Sequence, residues 1–262
     1  MADWDGAGYE RISGLQRRLA REALTQLEFR GDERVLDVGC GDGYITRIIA
    51  SRLPDGSIVG VDASPRMIEV ARSRPDPPGA DVRFLVADAL DLTFDGEFAT
   101  WFDTVVSFNA LHWVADQAAA LTAIAGTLRP DGRVIVQQVC DGPRRSLEQT
   151  AMQVCGLARW AAAFAGFAAP FVHVDPADYS RLAAAAGLRV TDQRVADIRW
   201  DFGSRAAFTD WCTVGFADWT ARLPDDEVPA WVDDVVGAYE AQVGEPGVLR
   251  FLQMRAVMVR VP

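Results

Sequence analysis

An α/β fold on a mostly parallel sheet is what this sequence predicts, and three observations carry the expectation. Arg34 to Ile49, RVLDVGCGDGYITRII, runs from apolar residues (Val35, Leu36, Val38) through Gly39, Gly41 and Gly43 into Ile45, Ile48 and Ile49 at helical spacing. That is strand, tight glycine loop and helix, the opening of a nucleotide-binding unit. Strand-like runs then alternate with helical patterns down to Val139, which implies parallel strands joined by right-handed crossovers. Finally, Asp62 and Asp88 close successive strands, at the carboxyl ends where ligands of such sheets sit.

The loop glycines are expected to let a ligand approach the backbone and to supply positive φ. Their spacing is G-x-G-x-G with Asp37 two residues ahead, whereas dinucleotide sites use G-x-G-x-x-G. Residues 1–30 read as a helical cap, because Ile12, Leu15, Leu19, Ala23 and Leu27 recur at helical spacing. Gln16 adjoins Ile12 and Leu19 on such a helix and either shares their buried side or stays a surface glutamine. Residues 31–140 form the core. Strands are predicted over Val35–Val38, Ser57–Val61, Val82–Val86, Thr104–Phe108 and Arg133–Val139. Helices are predicted over Tyr44–Leu53, Pro65–Ser73 and Val114–Leu128, with a short polar segment around Asp91–Phe98. Residues 141–262 supply a helical cover and two last strands. Helices are expected over Ser146–Gly166, Ala177–Gly187 and Ser204–Gln242, the last punctuated by Pro224 and Pro229; the strands are Leu188–Phe202 and Arg250–Val261.

A chain of 262 residues can bury a large core. Its formal net charge of −11 argues against nucleic acid, which needs clustered cations; the Arg17–Arg18–Arg21 group reads as a solvated helix face. The most apolar stretch, Ala151–Ala169, carries Gln153 and Arg159 and suits a lid or core helix better than a membrane span. The start, MADWDGAGYE, lacks the basic-then-apolar layout of a signal peptide. Cys40, Cys140, Cys155 and Cys212 are scattered, and His112 and His173 are the two histidines. A reduced, cytoplasmic protein with no membrane partner and no metal is the expectation.

The strand ends offer the candidate ligand groups. Asp62 is placed to accept ribose hydroxyls, or it merely precedes the Ser64 helix cap. Asp88, followed by Ala89, is either an acceptor for an adenine amine or an ordinary loop aspartate. Met67, one turn into the next helix, is either core or a flank for an adenine ring. Asn109 falls where the fourth strand stops, with His112 and Trp113 just beyond. His112 is a substrate ligand, a structural histidine or a general base. The aromatic excess after Trp160 packs the cover onto the core, and part of it lines an apolar pocket.

Four pieces together resemble a known family. They are Y-x-x-x-S-x-L-Q-x-R (Tyr9, Ser13, Leu15, Gln16, Arg18), RVLDVGCGDG-x-x-T (Arg34 to Thr46), GVDASPRMIE-x-A (Gly60 to Ala71) and SFNALHWV (Ser107 to Val114). The chain resembles the juvenile hormone acid methyltransferases and, less closely, the trans-aconitate methyltransferases, both S-adenosylmethionine (SAM)-dependent carboxyl methyltransferases. The resemblance spans residues 8 to 140; from 141 to 250 only the general layout matches. It implies a Rossmann-like class I fold, a seven-stranded, mostly parallel sheet with helices on both faces and a helical lid. SAM would be held by Tyr9, Arg18, Asp37, Gly39, Cys40, Gly41, Asp62, Ala63, Met67, Asp88, Ala89 and Asn109, and S-adenosylhomocysteine would be the product. Gln16 and Trp113 correspond to residues associated in the family with holding the substrate carboxylate.

The expected activity is therefore methylation of the carboxylate of a small, partly apolar acid, in secondary metabolism, by a monomer or homodimer. The same fold also methylates phenols, amines and carbon acids, for which His112 would be the base. A third possibility is a SAM-binding protein that transfers no methyl group, such as a natural-product cyclase.

Overall fold

The computed structural model describes residues 13–93 and 101–261; Tyr9, Ile12 and the end of the polar segment lie outside them. Seven strands form one sheet: β1 (Arg34–Val38), β2 (Ser57–Asp62), β3 (Asp81–Val86), β4 (Phe102–Phe108), β5 (Leu128–Val139), β6 (Leu188–Asp201) and β7 (Val248–Arg260). Their order is β3-β2-β1-β4-β5-β7-β6. The first five run parallel, and β7 inserts antiparallel between β5 and β6. The chain winds outward from β1 to β3 and returns to β4 beside β1. Strand order reverses there, which is where a doubly wound sheet opens a crevice.

Helix α1 (Gly14–Leu24) precedes the sheet; α2 (Tyr44–Ala50), α3 (Pro65–Ser73) and α4 (Gln117–Thr127) connect parallel strands. The α3 start is written locally: Pro65 stands at the first turn and Ser64 Oγ accepts from Met67 N at 3.3 Å, a capped entry with a preset φ. One sheet face is closed by α4 and α6 (Tyr179–Ala185), the other by α1 and α2. Strands β1 and β4 lie between and read as near-continuous hydrophobic runs, as buried parallel strands must.

A second core lies above the strand ends. It joins α5 (Leu147–Cys155), α7 (Arg205–Gly215), α8 (Ala217–Thr220) and α9 (Val228–Val243) to Leu15 and Leu19 of α1 and to Leu249 and Phe251 of β7. Helix α1 thus packs on two bodies: Ala20, Ala23 and Leu24 on the sheet, Leu15 and Leu19 on the cover.

One helical expectation is corrected. The helix predicted over Ser146–Gly166 opens on a capping box of Ser146 and Gln149 but ends at Cys155, and residues 156–166 continue as turns. Gly156 interrupts the run, and the Trp160 indole donates to Asp234 of α9 at 2.8 Å, so tertiary contacts override the alanine-rich propensity. The helices of Ser204–Gln242 are punctuated where the prolines stand: Pro224 lies between α8 and α9, and Pro229 sits in the first turn of α9, where its missing N–H costs nothing. Arg17 is no solvated charge, since its guanidinium meets Asp42 of the glycine loop at 2.6 Å.

Candidate active site

The loop between β1 and α2 is shaped by its glycines in different ways. A Cβ on Gly39, at φ 77°, would stand 2.1 Å from the Ala110 Cβ beyond β4, so loop-to-strand packing by itself already requires a glycine here. At Gly41, φ is 54° and the nearest atom to such a Cβ is Met67 Cε at 3.3 Å. Gly41 also lines the large cavity over the strand ends, and is the glycine that lets a ligand reach the backbone. The loop is pinned from below: Gly39 N and Cys40 N both donate to the Val61 carbonyl, at 2.8 and 3.0 Å.

The cavity gathers Gly39, Gly41, Asp62, Ala63, Met67, Ala89 and Asn109 on one side and Gln16, His112 and Trp113 on another. Asp62 accepts Gly41 N and Ser64 N, each at 2.9 Å. One oxygen thus braces the loop and the other opens the α3 turn, and each keeps a lone pair for a ligand hydroxyl. Burial pushes the Asp62 carboxyl up, against the lowering effect of those two N–H groups. Asn109 adopts φ 55°, a left-handed conformation that asparagine tolerates. Its Oδ1 accepts from Gln253 of β7 at 2.9 Å, which leaves a buried Nδ2 with no partner among the described residues.

Four predicted cofactor residues are not on the cavity wall. Asp37 is buried behind the loop and accepts from Thr46 Oγ1 at 2.7 Å, fastening α2 to β1; burial raises its pKa to about 7. Cys40 is buried against Ile68, Ala71 and Phe84. Asp88 is exposed and its Oδ1 accepts from Leu90 N at 2.9 Å, so Ala87 and Ala89 line the cavity and the carboxylate between them does not. Arg18 points outward, bonded to Glu22 at 2.8 Å and lying over the Trp200 ring. Tyr9 falls outside the described residues.

On the acceptor side, Gln16 of α1 is half-buried with its Oε1 unpartnered, and the half-buried Trp113 ring packs 5.0 Å from His112 and 6.4 Å from Trp219. His112 is buried, its pKa lowered to about 3 by desolvation and then by the neighbouring His173. A neutral imidazole so reluctant to take a proton is a poor general base at neutral pH. From the aromatic excess of the second half, Trp211 and Phe216 do line the cavity, and the walls that sequence reasoning missed there are Glu148, Cys212, Leu249 and Phe251. The aromatic excess signalled a pocket in general, but no local pattern marked Glu148.

The chain has no lysine, and no arginine is among the described residues lining the cavity. Among those residues there is also no group of three or more His, Cys, Asp or Glu able to hold a metal ion. No described helix is long and apolar enough to cross a membrane.

A parallel sheet with a glycine loop at its switch point, an acidic residue ending β2 and a cavity over β1 and β4 defines a class I SAM-dependent methyltransferase. Comparison with known proteins agrees. The family described as methyltransferase domain matches residues 35–132. A trans-aconitate 2-methyltransferase of Methylobacterium radiotolerans is 32% identical over 222 residues, 80% of this chain and 78% of that one. One from Paracidovorax citrulli is 28% identical over 99% of both chains, so the likeness runs through the cover as well as the core. The crystal structure of YcgJ from Bacillus subtilis superposes with a TM-score of 0.67 at 18% identity, covering 94% of this chain and 99% of that one. The chain belongs to the trans-aconitate group of class I SAM-dependent methyltransferases.

The cavity fits SAM on its own geometry. Gly41 leaves the backbone open, Asp62 retains acceptor capacity, and Asn109 Nδ2 is a buried donor without a partner among the described residues.

Proposed function

We propose that the chain methylates the carboxylate of a small, largely apolar acid with a single acid group. SAM supplies the methyl group on a sulfonium leaving group, ready for in-line displacement. Gly39, Gly41, Asp62 and Asn109 would hold it, and Gln16 and Trp113 would align the acceptor by offering amide and indole N–H donors to one carboxylate. That acceptor is already ionised at neutral pH and needs no base, consistent with a His112 that resists protonation. Alignment of a nucleophile with its target can be worth about 7–11 kcal/mol. The apolar walls, among them Leu15, Phe216 and Phe251, keep water from the carboxylate.

The observation that carries this reading is the pairing of Gln16 and Trp113 on a wall whose described residues include no arginine. Neutral donors can satisfy one carboxylate, whereas several buried together require cations. The trans-aconitate of the relatives' names is a tricarboxylate, so this chain would take a simpler acid. The test is a panel assay with methyl-labelled SAM, offering medium-chain monocarboxylic acids, trans-aconitate, phenols and amines. Label in methyl esters of the monocarboxylic acids supports the proposal; label confined to another class overturns it.

A further inference from the structure

Glu148 stands in the first turn of α5, its side chain 14% exposed, on the wall of the acceptor cavity. Among the described residues no arginine forms an ion pair with it. His173 lies opposite, its Nε2 3.9 Å from Glu148 Oε2 and just beyond hydrogen-bond range. The His173 side chain is 2% exposed, and neither of its ring nitrogens has a hydrogen-bond partner among the described residues. Its ring packs 4.6 Å from Phe171 and 6.1 Å from His112, whose Nδ1 is also buried and unpartnered. Burial lowers the pKa of both histidines, so the group consists of a carboxylate and two neutral rings. The Glu148 carboxylate is largely but not fully covered and faces a mostly apolar cavity, where a hydrogen bond to it is worth more than in water, and no described side chain or backbone N–H donates to it. A ligand can supply that hydrogen bond.

From this we infer that Glu148 sets acceptor specificity. It accepts a hydrogen bond from a hydroxyl or amine group carried by the acceptor acid, and by charge it turns away acids with a second carboxylate. His173 is a positioning residue: a small rotation brings its ring N–H onto Glu148 Oε2 and fixes the carboxylate toward the cavity. The inference rests on the proposed methylation of a monocarboxylic acid and narrows that acceptor to one bearing a hydrogen-bond donor elsewhere on an apolar frame.

The experiment titrates the S-adenosylhomocysteine complex with three acids of one flexible skeleton: octanoic, 8-hydroxyoctanoic and octanedioic acid. Calorimetry reads binding, and SAM turnover is measured in parallel. The wild type should bind the hydroxy acid about 10- to 100-fold more tightly than the diacid, the scale of one hydrogen bond to a charged group. Glu148→Gln, which keeps shape and removes charge, should bring that ratio close to one chiefly by improving the diacid, with S-adenosylhomocysteine affinity unchanged. His173→Gln, which keeps a donor, should retain most of the preference, and His173→Phe should lose it. The 8-amino acid tells the two donors apart, since an ammonium would bind more tightly than the hydroxyl. A ratio that Glu148→Gln leaves as it was overturns the inference, even if the acids are methylated. A Glu148-dependent ratio without methylation of any acid keeps the assignment of Glu148 and overturns the carboxylate reading. If none of the acids binds, both fall.

Discussion

Replacing Gly41 and Gly39 by alanine, one at a time, separates a glycine kept for the ligand from one kept for the fold. Both have positive φ, 54° and 77°, so each alanine carries the left-handed penalty of about 1–2 kcal/mol. At Gly41 the new methyl meets only Met67 Cε within 4 Å, at 3.3 Å, and the flexible end of a methionine gives way by a few tenths of an ångström. Gly41→Ala should therefore fold and melt only a few degrees lower, at about 2–4 °C per kcal/mol for a chain of this size. Its methyl group, however, occupies the approach to the cofactor, and an overpacked contact of about 1–3 kcal/mol weakens binding by about 10- to 100-fold. At Gly39 the methyl lies 2.1 Å from the Ala110 Cβ, so loop or strand end must move, adding about 1–3 kcal/mol of overpacking to the backbone penalty. Thermal melts with and without S-adenosylhomocysteine, together with calorimetry, give both quantities. The reasoning is refuted if Gly41→Ala binds the product with wild-type affinity, or if Gly39→Ala melts no lower than Gly41→Ala.

Further outcomes follow from the cap and the buried acids. Leu15, Gln16 and Leu19 of α1 line the cavity, so α1 has to yield for ligand exchange; amide exchange over residues 14–24 should slow when S-adenosylhomocysteine binds, and unchanged rates would count against a lid. Arg17→Ala breaks the 2.6 Å contact to Asp42 and should speed both that exchange and product release, as read by stopped flow. Asp37, with its folded pKa near 7, contributes full stability below about pH 4 and loses it as pH rises toward 7. His112, lowered to about 3, acts in the opposite sense, its contribution present above about pH 6.5 and lost on acidification, and His173 follows in direction. Asp37→Asn should leave the histidine slope exposed, so that urea-measured stability falls by up to about 1.4 kcal/mol per pH unit for each histidine on acidification from about pH 6.5; a variant with no steeper acid dependence than the wild type would refute the assignment.

Residues that act on their chain neighbours were legible from the sequence. The run from Arg34 to Ile49 became β1, loop and α2 because apolar alternation, glycine spacing and helical periodicity are all local signals. The split antiparallel pair β6–β7 was likewise readable from alternation in Leu188–Phe202 and Arg250–Val261. The differences concern residues whose surroundings depend on distant partners. Asp88 was assigned to a ligand by its place at a strand end, yet its side chain turns onto Leu90 N. Arg18 was carried by a motif spacing, but the next-door Gln16 and Leu19 face the cavity and leave it outside. Glu148 and Gln253 were invisible because α5 and β7 meet the strand ends only through the insertion of β7 beside β5, which no local pattern encodes.

The measurement closest to the central claim is the pH dependence of S-adenosylhomocysteine formation from SAM and a monocarboxylic acid, compared among the wild type, Gln16→Ala, Trp113→Phe and His112→Asn. Losing a donor to an ionised acceptor should lower kcat/KM about 10- to 100-fold in each of the first two variants, with SAM affinity unchanged. His112→Asn should lose less than either, and the wild-type rate should be flat through neutrality. Activity abolished by His112→Asn, with a wild-type rate that rises through a pKa near 7, would contradict the account and point to an acceptor that must first surrender a proton.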